Sequence, residues 1–111
     1  SDAALYSIKG LLCYINSEAH IHRFTDHLHG SKHIILRLRS VYYIDADGVE
    51  AISEIIHVVR SRGKQIYLTS VSPIIEHMLD KNTDYQQLKS EGKVFAKSAD
   101  VLRHLGYDIL H

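Results

Sequence analysis

The acidic turn at positions 45–48 holds the side chains best suited to binding chemistry. It reads Asp-Ala-Asp-Gly and separates the apolar run ending at Ile44 from a helical pattern. The start of a helix carries unpaired N–H groups and a partial positive charge, and it often binds phosphate. Here Asp47 and Glu50 stand three positions apart, which matches a capping box, and Asp45 adds a third carboxylate. The turn therefore predicts a helix start neutralised by its own acids, and it disfavours a phosphate or nucleotide site.

Metal binding is the second chemistry that the residue types suggest. Asp45 and Asp47 are spaced like the first ligands of a calcium loop, but the glycine is misplaced and the later ligands are missing. Five of the nine histidines lie close together in the chain: His20, His22, His27, His29 and His33. On a helix, four possible zinc ligands would share one stripe: Glu18, His22, Asp26 and His29. That stripe lies opposite the apolar positions Ile21, Phe24 and Leu28, where solvated polar residues belong, so the sequence predicts no metal site.

Residue types used in catalysis are present without the spacing that catalysis requires. The chain has neither a Gly-x-Ser-x-Gly nucleophile turn nor a glycine-rich phosphate loop. Cys13 is the only cysteine, so one chain cannot form a disulfide or a site with several thiolates. It lies in an apolar run, where a thiol usually packs as a small hydrophobe. We therefore predict a protein that is not an enzyme and that uses no cofactor.

Composition bounds the partners of this chain. Its 111 residues favour one domain, and 13 Lys and Arg against 13 Asp and Glu lack the basic excess of a general nucleic-acid binder. The longest nearly apolar run, 10–15, is too short to cross a bilayer, which takes about 20 residues. The first residues carry neither a signal peptide nor an initiator methionine. We expect a domain cut from a longer protein, without nucleic-acid binding or membrane insertion of its own.

Strand and helix patterns alternate along the chain. The predicted strands are Ala4–Lys9, Leu11–Ile15, His33–Arg39, Gln65–Thr69 and Val94–Phe95. The predicted helices run from Ser17 to about Leu28, from the acidic turn to Gly63, from Ser72 and Pro73 through Leu79, and from Ser98 to Gly106. Three serines are predicted to cap them: Ser17, Ser72 and Ser98. Gly10 fits either a tight hairpin or a bulge, and the polar segment 82–93 is predicted as a loop. This order predicts an α/β sandwich with right-handed crossovers.

The strand 33–39 indicates how the sheet is covered. Ile34, Leu36 and Leu38 share one face, whereas Arg37 and Arg39 share the other. A parallel strand covered by helices on both faces would be apolar throughout. The arginines therefore predict that one face of the sheet is only partly covered, or that it meets a partner.

Several segments carry the motifs of one domain family. Residues 8–18 resemble an opening I-x-G-x-L-F-F-x-N-A run, and residues 34–48 resemble a central I-L-R-x-x-x-V-P-x-I-D-A-T-G block. Two shorter segments match in order and place: 62–64 and 91–95. The chain departs from the pattern at Tyr42, where proline is frequent, and at Asp47, where Thr or Ser is frequent. Together these motifs resemble the STAS domain, the sulfate-transporter and anti-sigma-factor-antagonist fold, and the opening run resembles its transporter-linked branch.

The resemblance implies both a fold and a setting. The fold would be a single STAS domain over residues 1–111, with a central mixed β-sheet, interleaved helices and one sheet face only partly covered. The function would be that of a non-catalytic regulatory and protein-interaction domain of a SulP-type transporter of sulfate, bicarbonate or dicarboxylate. Such a domain would lie at the cytoplasmic C-terminus of the transporter, on the inner side of the plasma membrane, outside the transport path.

Position 46 separates two branches of this family. In the soluble anti-sigma factor antagonists, the residue after the loop aspartate is a serine or threonine that a partner kinase phosphorylates, which switches partner binding. Here that position is Ala46, so we predict no phosphorylation site. Two alternatives stay open: a soluble antagonist-like signalling protein, and a nucleotide-binding STAS module, for which the sequence offers no phosphate cradle.

We expect the turn after the central strand to dock on the membrane domain of the same transporter or on another protein. The predicted interaction residues are Asp45, Ala46, Asp47, Gly48, Val49, Ser70 and Ser72. Acyl carrier protein is a further partner suggested by related bacterial transporters, but it is acidic. The two aspartates would repel it unless arginines elsewhere compensate: Arg37, Arg39, Arg60 and Arg62.

Overall fold

The computed structural model describes residues 2–13, 16–26, 28 and 30–107. Its strands are β1 (Ala3–Leu12), β2 (His33–Ile44), β3 (Gln65–Thr69) and β4 (Val94–Phe95). Its helices are α1 (Ser17–Asp26), α2 (Ala46–Ser61), α3 (Pro73–Leu79), α4 (Thr83–Ser90) and α5 (Ser98–His104). The strands form one sheet in the order β1-β2-β3-β4, and each pair is parallel. The α/β prediction is confirmed, but the sheet formed by the described strands is parallel rather than mixed.

The chain does not reverse direction at Gly10, so the residues on both sides of it form one strand that pairs in parallel with β2. A hairpin there would have added an antiparallel pair to the sheet. The glycine adopts φ +83°, and the pairing of β1 with β2 shifts register on either side of it. Ser7 pairs with Arg37 but Lys9 pairs with Ser40, so β2 carries an extra residue there. Of the two predicted outcomes at Gly10, the bulge is the observed one. The two predicted N-terminal strand runs therefore belong to a single strand as far as Leu12.

The larger core lies between one face of the sheet and helices α1–α4. Its α2 contribution is the predicted apolar side of the helix: Ile52, Ile55, Ile56 and Val59, all buried. On the sheet, Ile8 and Leu12 of β1 meet Leu36 and Leu38 of β2 in the same cluster. Period-two alternation in the strands and helical spacing in α2 therefore bring these residues into one layer.

The described residues cover the opposite face of the sheet only in part. Val101 of α5 packs against Ile35 and Tyr67 there, while Arg37 is half-buried and Arg39 is exposed on the same strand as Ile35. Since α5 has seven residues, it is about 10 Å long and cannot cover four strands. This confirms the partly covered face that the two arginines predict.

Helix α4 replaces a predicted loop. Asn82 caps it by accepting a hydrogen bond from the Tyr85 amide at 3.0 Å. Tyr85 is buried and its hydroxyl donates to Glu76 at 2.6 Å, while Ser53 of α2 donates to Asp84. Only Tyr85 and Leu88 of α4 are buried, so its apolar pattern is too sparse to distinguish from a polar loop. Contacts with α2 and α3 stabilise the helix.

Two of the three serine caps predicted from the sequence, Ser72 and Ser98, have different outcomes. Ser72 accepts from the Ile75 amide at 3.4 Å, with Pro73 in the first turn of α3, so that cap is confirmed. The N-cap residue of α5 is Lys97, which makes no side-chain capping bond. Ser98 instead pairs its hydroxyl with Thr69 at 2.9 Å, joining α5 to the end of β3. The cap prediction at Ser98 is wrong because the tertiary partner takes its hydroxyl.

Within the described ranges, no helix is both long enough and apolar enough to cross a membrane.

The ion pair between α2 and the end of α4 predicts an acid-dependent loss of stability. Arg60 donates to Glu91 at 2.6 Å and, with Lys93 nearby, lowers the pKa of that carboxyl from its usual 4.5 to about 2. Folding therefore favours the ionised carboxylate. Its contribution is present above pH 4.5 and is lost as the pH falls toward 2. Glu91→Gln should flatten the dependence of the unfolding free energy on pH in that window, as measured by urea denaturation.

Glu54→Gln, at an exposed carboxylate on α2, is the matched control and should leave the pH dependence close to that of the parent chain. An unchanged pH slope in Glu91→Gln would contradict the coupling of Arg60 to Glu91.

Candidate functional site

Asp45 is the residue that starts α2. It has extended backbone angles, and its Oδ1 accepts a hydrogen bond from the Gly48 amide at 2.9 Å. The helix therefore begins at Ala46, and both Asp47 and Glu50 are exposed. The predicted capping box of Asp47 and Glu50 is wrong. The chain enters the helix directly after β2, so the first available aspartate takes the capping position.

Gly48 allows the first turn of α2 to touch the ends of the two longest strands. A Cβ at this position would collide with the backbone carbonyl oxygen of Leu12 and would lie 2.7 Å from Ile44 Cγ1. The same Leu12 carbonyl accepts from the Asp45 amide at 3.3 Å. The sequence shows a glycine in a turn, but only the fold shows that its missing side chain is required.

The predicted interaction residues at 45–49 divide into two groups. Gly48 and Val49 are buried, and Val49 packs in the larger core, so these two hold the turn in place. Ala46 and Asp47 are exposed and available to a partner. Asp45 lies between these groups, half-buried, with its carboxylate used for capping.

Asp47 lies in an acidic groove between α1 and α2. The groove has a volume of about 570 Å³, and four carboxylates line it: Glu18, Asp47, Glu50 and Glu54. Among the described residues that line it, His22 is the one basic side chain, and it also faces Asp26 at 3.5 Å. An arrangement of this sign attracts cationic groups and repels anions. It supports the prediction that the turn does not bind phosphate or nucleotide.

Ser70 and Ser72 lie in a separate part of the surface. Ser70 has a left-handed backbone at φ +60°, held by its amide, which donates to Phe95 O at 3.1 Å. It lines a cavity with Arg37 and Arg39, and that cavity shares no residue with the acidic groove. Ser72 is the cap of α3. The structure therefore does not bring these serines into one cavity with Asp47.

The described histidines are dispersed. His22 is exposed, and His33 contacts the Tyr67 hydroxyl at 3.1 Å on another part of the sheet. Burial, helped by Arg23, lowers the pKa of His20. His27 and His29 lie outside the described residues, so the predicted stripe is seen only from Glu18 to Asp26. Among the residues described, no three His, Cys, Asp or Glu side chains are grouped as a metal site.

The cavity beside Ser70 contains cations that the sequence does not place together. Arg37 and Arg39 come from β2, whereas Lys97 comes from the segment before α5. Lys97 and Ser98 were not among the predicted interaction residues. The signal that the sequence does contain is the arginine pair on one strand face, but the third cation arrives through the fold.

Comparisons with known proteins agree on one family. A family model for the STAS domain matches residues 1–101. A comparison with curated proteins found no match.

Three solved structures illustrate the likeness in fold. A sulfate transporter family protein from Wolinella succinogenes superposes with a TM-score of 0.75 and 24% identity, over 93% of this chain and 84% of that chain. The STAS domain of a SulP transporter from Vibrio cholerae gives 0.73 and 20%, over 94% and 80%. A candidate anti-sigma factor antagonist from Thermotoga maritima gives 0.77 and 20%, over 93% and 86%. At these identities the likeness shows a shared fold.

The close approach at Gly48 predicts that Gly48→Ala destabilises the protein, although alanine is the better helix former. We expect a loss of about 2–3 kcal/mol in the free energy of unfolding, because the added methyl has to displace backbone. Urea denaturation followed by circular dichroism measures it. Glu50→Ala, exposed in the same turn, is the control and should stay within about 0.5 kcal/mol of the parent chain. A variant Gly48→Ala as stable as the parent would contradict the contact with Leu12.

The two aspartates of the turn should differ in their effect on stability. Asp45→Ala should cost about 1 kcal/mol because the Gly48 amide loses its cap. Asp47→Ala should change the unfolding free energy by less than about 0.5 kcal/mol. Thermal and urea denaturation of the two variants give the comparison, and the opposite order would assign the cap to Asp47.

Proposed function

The chain belongs to the STAS domain family, and from that membership we propose that it is a non-catalytic regulatory and protein-interaction domain of a SulP-type anion transporter. In this role it lies on the cytoplasmic side of the membrane and binds the membrane domain of the same transporter. The transported anion is of the class sulfate, bicarbonate or dicarboxylate. The domain itself acts by binding and takes no part in the transport path.

Ala46 carries this proposal. It is the first residue of α2 and is exposed. It occupies the position at which the resemblance to the antagonists implies a Ser or Thr that a kinase phosphorylates. A methyl group cannot accept phosphate, so a switch of the anti-sigma antagonist kind has no acceptor here. The neighbouring Asp47 is exposed and supplies a carboxylate without any modification. The turn therefore suits a permanent contact better than a phosphorylation switch.

The structural neighbours support the STAS fold, but they do not distinguish the transporter branch from the antagonist branch. We infer the branch from individual residues. The transporter domains and the antagonist superpose about equally well, at 20–24% identity. The opening motif at 8–18 resembles the transporter-linked branch. Like Ala46, it favours a transporter domain over an antagonist.

The acidic groove indicates the charge of the transporter segment that would bind it. Asp47 and Glu50 are exposed at its edge, and the groove is negative on both helices. A basic segment of the membrane domain complements it, whereas an acidic partner such as acyl carrier protein would be repelled there. The contact is a charged one, so it weakens at high salt.

Charge reversal at the exposed acids tests this function in the full-length transporter. Asp47→Lys with Glu50→Lys should change the transport rate by about fivefold or more, because the coupling between the two domains is lost. Both side chains are exposed and neither is the cap of α2, so the domain should stay folded. Anion uptake into proteoliposomes and cross-linking of the domain to the membrane domain are the two measurements.

Asp26→Lys is the control, since it makes one of the two charge reversals at the far end of α1 and should leave transport unchanged. Unaltered uptake together with unaltered cross-linking in the double variant would contradict the proposal. The reading frame of the parent gene gives an independent check. It should encode several apolar stretches of about 20 residues before this domain, and their absence would favour a free-standing signalling protein.

A further inference from the structure

We propose that the uncovered half of the sheet binds an acidic amphipathic helix from a partner protein. This surface, called the open face, consists of side chains from β1 and β2: Leu5, Ser7, Lys9, Leu11, Arg37, Arg39 and Tyr43. It lies on the opposite side of the sheet from α1 and α2, and it is separate from the acidic groove. The inference goes beyond the proposed function, because it concerns a second surface and a partner of opposite charge.

The open face is the place where a helical layer is incomplete. Parallel sheets normally carry helices on both faces. Here α5 covers Ile35 and Tyr67, whereas Leu5 remains 52% exposed, Leu11 43% and Tyr43 50%. A helix is about 10 Å wide and neighbouring strands are about 4.8 Å apart, so one helix would cover β1 and β2 beside α5.

The register of β1 and β2 shows that these residues share a face. Ser7 pairs with Arg37, and the Arg37 Nε donates to the Ser7 hydroxyl at 3.0 Å. Further along the same strands Leu11 pairs with Tyr43. The two leucines lie six residues apart on β1, about 20 Å, which is the length of a helix of about 13 residues. A partner helix therefore needs apolar side chains near both ends.

The charge of the open face indicates that the partner helix carries acidic side chains. None of the four strands contains Asp or Glu, whereas Lys9, Arg37 and Arg39 all lie on this side. Arg37 and Arg39 also line a cavity of about 570 Å³ that Lys97 borders from the segment before α5. Asp100 of α5 lies three residues after Lys97, but it already pairs with Arg103 at 2.8 Å. The cations of the face thus lack carboxylates from the described strands and suit those of a partner.

The shape of the surface favours a protein over a lipid membrane. The apolar side chains belong to strands of a sheet, and the cation cavity lies between β2 and the start of α5. A lipid surface takes up apolar side chains that reach about 5–10 Å into it. A cavity beside a short helix instead suits carboxylate side chains projecting from a second helix laid parallel to the sheet.

A peptide titration of the 111-residue chain tests the inference. The probe is a synthetic amphipathic helix with leucine on one side and glutamate along its edge, and the readout is amide shifts in NMR. We expect the amides of Ser7, Lys9, Leu11 and Tyr43 to shift, and the affinity to fall as salt rises. Lys9→Glu with Arg39→Glu should weaken binding about tenfold or more. Both residues are exposed, so circular dichroism should show an unchanged fold.

Arg62→Glu is the matched control, because this exposed arginine lies at the C-terminal end of α2, and it should bind like the parent chain. Equal binding of a peptide with lysine in place of glutamate would overturn the inference, and so would shifts confined to α1 and α2. Binding to phosphatidylglycerol vesicles without binding to the peptide would assign the face to lipid. A change in sedimentation of the chain alone in the double variant would assign it to a second copy. Because these variants leave Asp47 and Glu50 intact, either proposal can fail without the other.

Discussion

The first turn of α2 rests directly on the backbone at the end of β1, and the arrangement of the domain depends on this contact. Gly48 leaves no room for a side chain between the helix, the Leu12 carbonyl and Ile44. The Asp45 amide binds the same carbonyl, and the Asp45 carboxylate closes the helix start. One short segment therefore positions β1, β2 and α2 relative to one another. It also places Ala46 and Asp47 outward, since the residues that follow them are buried.

The zero net charge of the chain conceals a separation of charge across the sheet. Helices α1 and α2 carry the carboxylates of the groove, while the strands carry cations and no acid. The two surfaces would select partners of opposite sign, and salt would weaken both contacts. A domain of this kind can hold one partner on its helices and a second on its sheet. That arrangement suits the regulatory role that we propose. It also explains why the zero net charge of the composition excludes only partners that need a strongly charged protein.

The turn between β2 and α2 is the part of the fold where the side chains of this chain bear on function. The resemblance to the antagonists implies a hydroxyl at the start of α2, and this chain has the methyl group of Ala46 there. The aspartate that follows keeps the turn acidic without any modification. In this chain Ala46 and Asp47 are exposed to a partner, whereas the buried Gly48 and Val49 beside them maintain the geometry of the turn.

Periodicity in the sequence determined the α/β alternation, the buried side of α2 and the uneven faces of β2. The serine and proline at 72–73 determined the cap of α3. Each of these features depends on residues close together in the chain. Other features depended on tertiary structure, as the requirement for glycine at position 48 does. β1 continues through Gly10 because it pairs in parallel with β2, and α4 forms because Tyr85 and Leu88 find partners on other elements. The Ser98 hydroxyl bonds to Thr69 instead of capping α5. Lys97 lines a cavity with two arginines from a strand more than fifty residues earlier. Local propensity was weak or ambiguous at each of these positions, and contacts between distant residues decided the outcome.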